Sequence, residues 1–145
     1  MKDLSLAAHN LRFSYDDKNI ISNISFEVLP QSITAIVGRN GTGKSTILSL
    51  ICGTIRPKKG HIEIFGYSTE NKSNSEKDGF RANHLGIIFQ QFNLIPYLSA
   101  IDNVLLPLHF SPCRRNASGE THYNIVQEAE RLLDALGIDP ETLAR

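Results

Sequence analysis

An α/β domain, in which a parallel sheet with helices stands beside a small antiparallel sheet, is the fold class that this sequence predicts, and three observations predict it. The first is Gly38-Arg39-Asn40-Gly41-Thr42-Gly43-Lys44-Ser45-Thr46, a G-x-x-x-x-G-K-[ST] loop set between two apolar runs. The second is its context. Ser32 to Val37 is a β-branched run of the kind that forms a buried parallel strand, and Ser45 to Cys52 starts a helix that Gly53 can stop. The third is a pair of strand-like segments upstream, Leu4 to Phe13 and Ile20 to Val28, joined by the turn formers Asp16-Asp17-Lys18-Asn19.

The remaining elements follow in order. Pro57-Lys58-Lys59-Gly60 is a turn into the alternating strand His61 to Phe65, which Gly66 ends. Tyr67 to Asn83 is polar and reads as a surface connection with one helical turn near Glu76 to Arg81. Leu85 to Phe89 reads as a buried strand that delivers Gln90 and Gln91 at its end, where α/β sheets meet their ligands. Leu94 to Leu108 is apolar and interrupted by Pro96 and Pro107, with Asp102-Asn103 placed to begin a short helix, and Ser111 to Ser118 reads as a loop. Ile125, Val126, Ala129, Leu132, Leu133 and Leu136 recur at helical spacing, so Tyr123 to Leu136 is an amphipathic helix whose stripe packs a core.

The loop carries chemistry because each residue type has a physical task. Gly38, Gly41 and Gly43 allow backbone conformations and a close phosphate approach that a Cβ would hinder. Backbone N–H groups then face an anion at the helix N-terminus. Lys44 reaches the β- and γ-phosphates as a point charge, the Ser45 hydroxyl is suited to Mg²⁺, and Thr46 adds a hydroxyl near the α-phosphate. A glycine-rich connector alone would not require Lys44-Ser45 at this spacing.

Composition excludes other classes. The 145 residues correspond to one domain, with 41% hydrophobic and 21% charged residues. Lys+Arg 15 against Asp+Glu 15 leaves no net charge, which does not suggest nucleic acid as a partner. No signal-peptide core and no apolar run of about 18 residues occurs, so the chain is expected to be cytoplasmic. Cys52 and Cys113 form no C-x-x-C pair and are expected as reduced thiols. His9, His61, His84, His109 and His122 show no metal-ligand spacing. Asn71-Lys72-Ser73-Asn74 echoes a GTPase base-reading motif without its Asp, and the two upstream strands argue against a small nucleotide kinase.

In order, these motifs resemble the ATP-binding subunit of an ABC transporter, closest to the bacterial branch that exports lipoproteins, macrolides or peptides. The resemblance covers residues 1–145 and implies a P-loop NTPase core with an antiparallel β-subdomain. It divides the single domain into a mainly antiparallel part (1–30), a core with the Q-loop strand (31–92) and the start of a helical subdomain (93–145). By the same resemblance Tyr15 stacks on adenine, Gly38 to Thr46 is the Walker A loop that binds ATP, and Gln90 helps Ser45 hold Mg²⁺ and orients the attacking water. Gln91 is the alternative, and Gln90 is preferred because it directly follows Ile87-Ile88-Phe89. Phe92-Asn93-Leu94-Ile95-Pro96 and Asp102 to Leu108 are similar to the exporter branch.

The implied partners are a membrane permease, which would hold the protein peripherally at the inner membrane, and a second nucleotide-binding domain in a homodimer. The implied enzyme is a transport-coupled ATP hydrolase, with Lys44 and Gln90 as its catalytic residues. The family pattern continues with a Ser-Gly-Gly-Gln signature, an apolar strand ending in Asp-Glu (Walker B) and a switch histidine, none of which occurs in residues 1–145. Leu132-Leu133-Asp134 sits in a helical pattern, and Ser118-Gly119-Glu120 is no signature. The expectation is a fragment of a longer protein or an interrupted gene product, which binds nucleotide without turnover and self-associates through uncovered strands.

Overall fold

The computed structural model describes residues 4–68, 70, 72–91, 93–118 and 122–138. The expectations that fall on Asn71, Phe92, Gly119, Glu120 and 139–145 lie outside the described residues. The chain forms two compact units, Met1–Lys77 and Asp78–Arg145.

The first unit is built on β1 (Leu6–Tyr15), β2 (Lys18–Val28), β3 (Lys59–Ile64) and β4 (Tyr67–Ser68), with helix α1 (Lys44–Ile51). The strands pair antiparallel in the order β2-β1-β3-β4. Strands β1 and β2 meet at Asp16-Asp17, where the register pairs Tyr15 with Lys18 and Asp16 takes φ 48°. The β3–β4 turn is Phe65-Gly66, and both residues have positive φ, as a two-residue hairpin of the primed type requires. Strand β1 bulges between Ala8 and Leu11, where Asn10 adopts φ 48° and its N–H donates to Ser25 Oγ at 2.8 Å. Gly60 lies against this bulge. A Cβ there would stand 2.2 Å from the His9 carbonyl oxygen, so only glycine lets β3 approach β1. Ala7, Ala8, Leu11, Ile21, Ile62 and Ile64 fill the core with Ile47 and Leu50 of α1, and Leu11 is fully buried.

The parallel strands expected at Ser32–Val37 and Leu85–Phe89 do not form among the described residues. Both runs are irregular, and Ile33 and Ile88 are 101% and 99% exposed. β-branched sequence supplies an extended preference but no ladder. A parallel strand needs hydrogen-bonding neighbours and cover on both faces, and among the described residues the ladders are the antiparallel pairs β1–β2, β1–β3 and β3–β4.

Helix α2 (Asn74–His84) is longer than the single turn expected. Ser73 and Glu76 form a capping box: the Glu76 N–H donates to Ser73 Oγ at 3.2 Å, and Glu76 Oε2 accepts from the Ser73 N–H at 2.9 Å and from its hydroxyl at 2.8 Å. The second unit continues with α3 (Ala100–Phe110), α4 (Pro112–Ser118) and α5 (His122–Ala135), which pack on one another. Ser99 caps α3 by accepting the Asp102 N–H. Residues 112–118, expected as a loop, are helical because Ser111 accepts the Arg114 N–H while Pro112 occupies the first helical position. Ile125, Ala129 and Leu133 are the buried face of α5, whereas Leu132 and Leu136 of the expected stripe are exposed. Among the described residues, no helix is long and apolar enough to cross a membrane.

The Ser73 hydrogen bonds, the backbone bond first, hold the Glu76 carboxyl below its ordinary value. A depressed folded value means that its contribution is present above the unfolded glutamate pKa and is lost as pH falls through the folded one. The first turn of α2 should therefore loosen in acid, and Glu76→Gln should remove most of that dependence. The check is an NMR titration of the Ser73 and Glu76 amides, and a Glu76 midpoint at or above the ordinary glutamate value would contradict it.

Candidate functional site

Helix α1 begins at Lys44, and Gly43 is its N-cap, with φ 93° and no side-chain cap. The first bond of the helix runs from the Ile47 N–H to the Gly43 carbonyl at 2.9 Å, so the N–H groups of Lys44, Ser45 and Thr46 lie ahead of the ladder at the positive end of the helix dipole. The first turn contains no acidic residue. An incoming anion therefore meets donors without a competing carboxylate.

The loop is held from inside and from below. The Thr42 hydroxyl donates to the Arg39 carbonyl at 2.8 Å. The Lys44 ammonium crosses the loop and donates to the carbonyls of Gly38 at 2.9 Å and Arg39 at 2.8 Å. A Cβ on Gly38 would stand 2.9 Å from Thr42 Oγ1. Below, a Cβ on Gly43 would stand 2.8 Å from Ile21 Cδ1 and 3.1 Å from Ile20 Cγ2, so the N-terminus of α1 rests on β2.

That contact also locates Tyr15. Ile21 pairs with Phe13 across the hairpin, and Tyr15, the last residue of β1, pairs with Lys18. The hairpin end thus carries Tyr15 on the strand pair that supports the loop. Its ring is 54% exposed and meets Phe13 edge to face, with centroids 4.8 Å apart. Tyr15 and Gly38 to Thr46 belong to the first unit. Gln90 and Gln91 belong to the second, where both are exposed in a bend.

Several positioning residues escape a reading by motif. Ile20 and Ile21 seat Gly43, yet they look like ordinary strand positions. In the second unit the Arg114 guanidinium donates to the Leu85 carbonyl at 2.7 Å, and the fully buried Ser111 donates its hydroxyl to Asn83 Oδ1 at 2.7 Å. Together they anchor the start of the segment that leads to Gln90. Asn103 brackets the chain before α3, accepting from the Ile95 N–H at 2.8 Å and donating to the carbonyls of Ile95, Leu98 and Ser99. The Ser-Pro pair at 111–112 was the available signal for one of these anchors.

Comparison with known proteins places the chain among ATP-binding cassettes. A lipoprotein-releasing system ATP-binding protein, LolD 2 of Rhodopirellula baltica, is 34% identical over 142 residues, covering 94% of this chain and 54% of its own length. The ABC transporter ATP-binding protein YtrE of Bacillus subtilis is 45% identical over 89 residues, covering 61% of this chain and 38% of its own. Among solved structures, the dimeric post-hydrolysis state of the ATP-binding cassette MJ0796 bound to ADP and Pi superposes with a TM-score of 0.79 at 26% identity, covering 95% of this chain and 60% of that one. The chain thus spans between 38% and 60% of the length of these three proteins. The ABC transporter family model matches residues 21–144, beginning within the strand that seats the phosphate loop, and the chain belongs to the ABC transporter ATP-binding family.

Proposed function

We propose that this chain is the ATP-binding part of an ABC exporter, in which nucleotide binding and hydrolysis drive transport through a separate membrane permease. The observation that carries the reading is the phosphate loop at the N-terminus of α1, with Lys44 across its mouth and β2 beneath it. Relatives named as lipoprotein-releasing and macrolide-export ATP-binding proteins support export as the direction. The proposed location is cytoplasmic, at the inner membrane through the permease. The proposed assembly is a homodimer of nucleotide-binding domains, as in the MJ0796 cassette.

Mechanistically, the loop N–H groups receive the phosphates and Lys44 exchanges two neutral carbonyl acceptors for charged phosphate oxygens, a stronger class of hydrogen bond. Donor chemistry fits Mg²⁺ at Ser45, whose exposed side chain is the second of α1, and Gln90 is the proposed second contributor. A divalent ion held by these groups would supply positive charge that offsets the charge of the phosphate chain. Arg39, Asn40, Gly41 and Thr42 complete the loop around the phosphate chain, with Thr46 near its inner end. Tyr15 stacks on the base from the hairpin end, and Gln90 orients the attacking water.

Calorimetric titration with MgATP tests this assignment. Lys44→Ala should weaken binding at least several-fold, since charge-assisted hydrogen bonds contribute about 1.5–3 kcal/mol. Equal affinity for both forms would overturn it.

The same titration tests stacking at Tyr15. Tyr15→Phe should bind like the parent and Tyr15→Ala should lose roughly 1–3 kcal/mol, the worth of one aromatic–base stack. Loss in the Phe variant with none in the Ala variant would point away from stacking.

A second reading, nucleotide binding without turnover, is favoured for residues 1–145 on their own, because they contain neither the signature nor the Asp-Glu strand. Phosphate release by these residues should be negligible. Turnover near the typical ~10 s⁻¹ of enzymes, abolished by Lys44→Ala, would refute that reading.

A further inference from the structure

We infer that Asn40, in the phosphate loop, is a site of spontaneous deamidation, and that the carboxylate it leaves behind closes the loop to phosphates. Of the asparagines in the chain, Asn40 is the one followed by glycine. The reaction is an attack by the backbone on its own side chain. The Gly41 nitrogen gives up its proton and bonds to Asn40 Cγ, the Cγ–Nδ2 bond breaks, and the amide group leaves with that proton as ammonia. Water then adds across one of the two C–N bonds of the resulting succinimide. The product is aspartate, or isoaspartate when the backbone is left running through Cγ. Glycine favours the attack because no side chain obstructs its nitrogen.

Three observations place this chemistry at Asn40. The Thr42 N–H donates to the Arg39 carbonyl at 3.4 Å, which makes Asn40 and Gly41 the central residues of a turn, and Gly41 has φ 80°, as the second of them does in a type II turn. Both are exposed, and a Cβ on Gly41 would meet nothing within 4 Å, so the peptide between them has room to rotate towards the side chain. The reacting groups are also unengaged. Among the described residues no hydrogen bond holds the Asn40 side chain or the Gly41 N–H, whereas the Arg39 carbonyl accepts from the Thr42 hydroxyl and from the Lys44 ammonium, both at 2.8 Å. The third is the field. The positive end of α1 and the Lys44 charge lie beside the turn, with no acid in the first turn of the helix, and such surroundings favour both the deprotonated nitrogen and the oxyanion that its attack creates.

Related pairs elsewhere lack these conditions. Asn74-Ser75 opens α2, and Asn74 Oδ1 accepts from Arg56 at 2.7 Å. Asp78-Gly79 lies inside the same helix, and Asp78 pairs with Arg81.

The consequence is local. Gly38 to Thr46 contains no acidic residue, so a carboxylate at position 40 brings the first negative charge into the loop. Isoaspartate also adds a carbon to the backbone and displaces the N–H groups around it. Resting on the proposed nucleotide binding, a phosphate that engages the Gly41 N–H withholds the nucleophile. Nucleotide-loaded chains are then spared and empty ones are inactivated.

The full chain, free of nucleotide, is kept in warm, mildly alkaline buffer while peptide mapping by mass spectrometry follows each asparagine and an isoaspartyl methyltransferase labels isoaspartate. Asn40 should convert at least several-fold faster than Asn74 and acquire label. Asn40→Gln, whose ring would be one atom larger, should remove both signals from the loop. Asn40→Asp should weaken MgATP binding by about tenfold or more, the scale of setting like charges side by side. Saturating MgATP should slow conversion at Asn40 at least several-fold and leave Asn74 as it was. The inference is overturned if Asn40 converts no faster than Asn74, if no isoaspartate arises at position 40, or if Asn40→Asp binds MgATP as the parent does. A chain that binds no MgATP yet converts rapidly at Asn40 refutes the nucleotide assignment and supports the deamidation site; one that binds MgATP without protection overturns the sparing.

Discussion

Where α1 begins, the backbone of Gly43 lies so close to β2 that a single added carbon would stand 2.8 Å from Ile21 and 3.1 Å from Ile20. The phosphate loop depends on this approach. With φ 93°, Gly43 takes a backbone that other residues rarely adopt, turns the chain into the helix and seats the helix N-terminus on the hairpin. The N–H groups that face an anion are thereby fixed to a sheet whose core residue Leu11 is fully buried. Rigid support under a glycine loop is what allows preorganised donors to act without rearranging when charge arrives.

Electrostatics follows the same placement. Helix α1 has no acid in its first turn, and the Lys44 ammonium is held by carbonyls of its own loop, so the charge is positioned before any ligand competes for it. Elsewhere the titrating groups shift through local contacts. Arg131 beside Glu128 lowers that carboxyl, and Glu128 in return raises the guanidinium. Arg131 is exposed and Glu128 partly so, and a solvent-screened pair of this kind fixes a helix surface with little effect on stability.

Legibility in the sequence tracked how local the determining physics was. The hairpin was readable because alternation at Ile24, Phe26 and Val28 and the turn formers at 16–17 act within a few residues. The phosphate loop was readable because its glycines and Lys44-Ser45 are bound by spacing. Helices α2 and α4 were underestimated although their signals were local too: Ser73 to Glu76 is a capping box, and Ser111-Pro112 is an N-cap followed by a favoured first residue. In both stretches the end chemistry outweighs the loop-like composition of the residues around it. The runs at 32–37 and 85–89 failed differently, because a strand exists only with its neighbours, and β-branched residues state a preference without naming a partner. The seating of Gly43 on Ile20 and Ile21 is a tertiary contact that no spacing announces.

The exposed run at Ser32–Val37 joins the loop directly, because Val37 is followed by Gly38. One end of the loop is therefore anchored through Gly43 to the sheet, while the other issues from backbone without a ladder. Any strand that pairs with this run fixes the free end and removes conformational entropy that an anion would otherwise have to remove on binding. Thermodynamic reciprocity then ties the two events: whatever factor strand pairing adds to phosphate affinity, phosphate adds to strand pairing. On the proposed function, pairing of a strand with this run and binding of phosphate are coupled, so neither affinity would be a property of the loop alone.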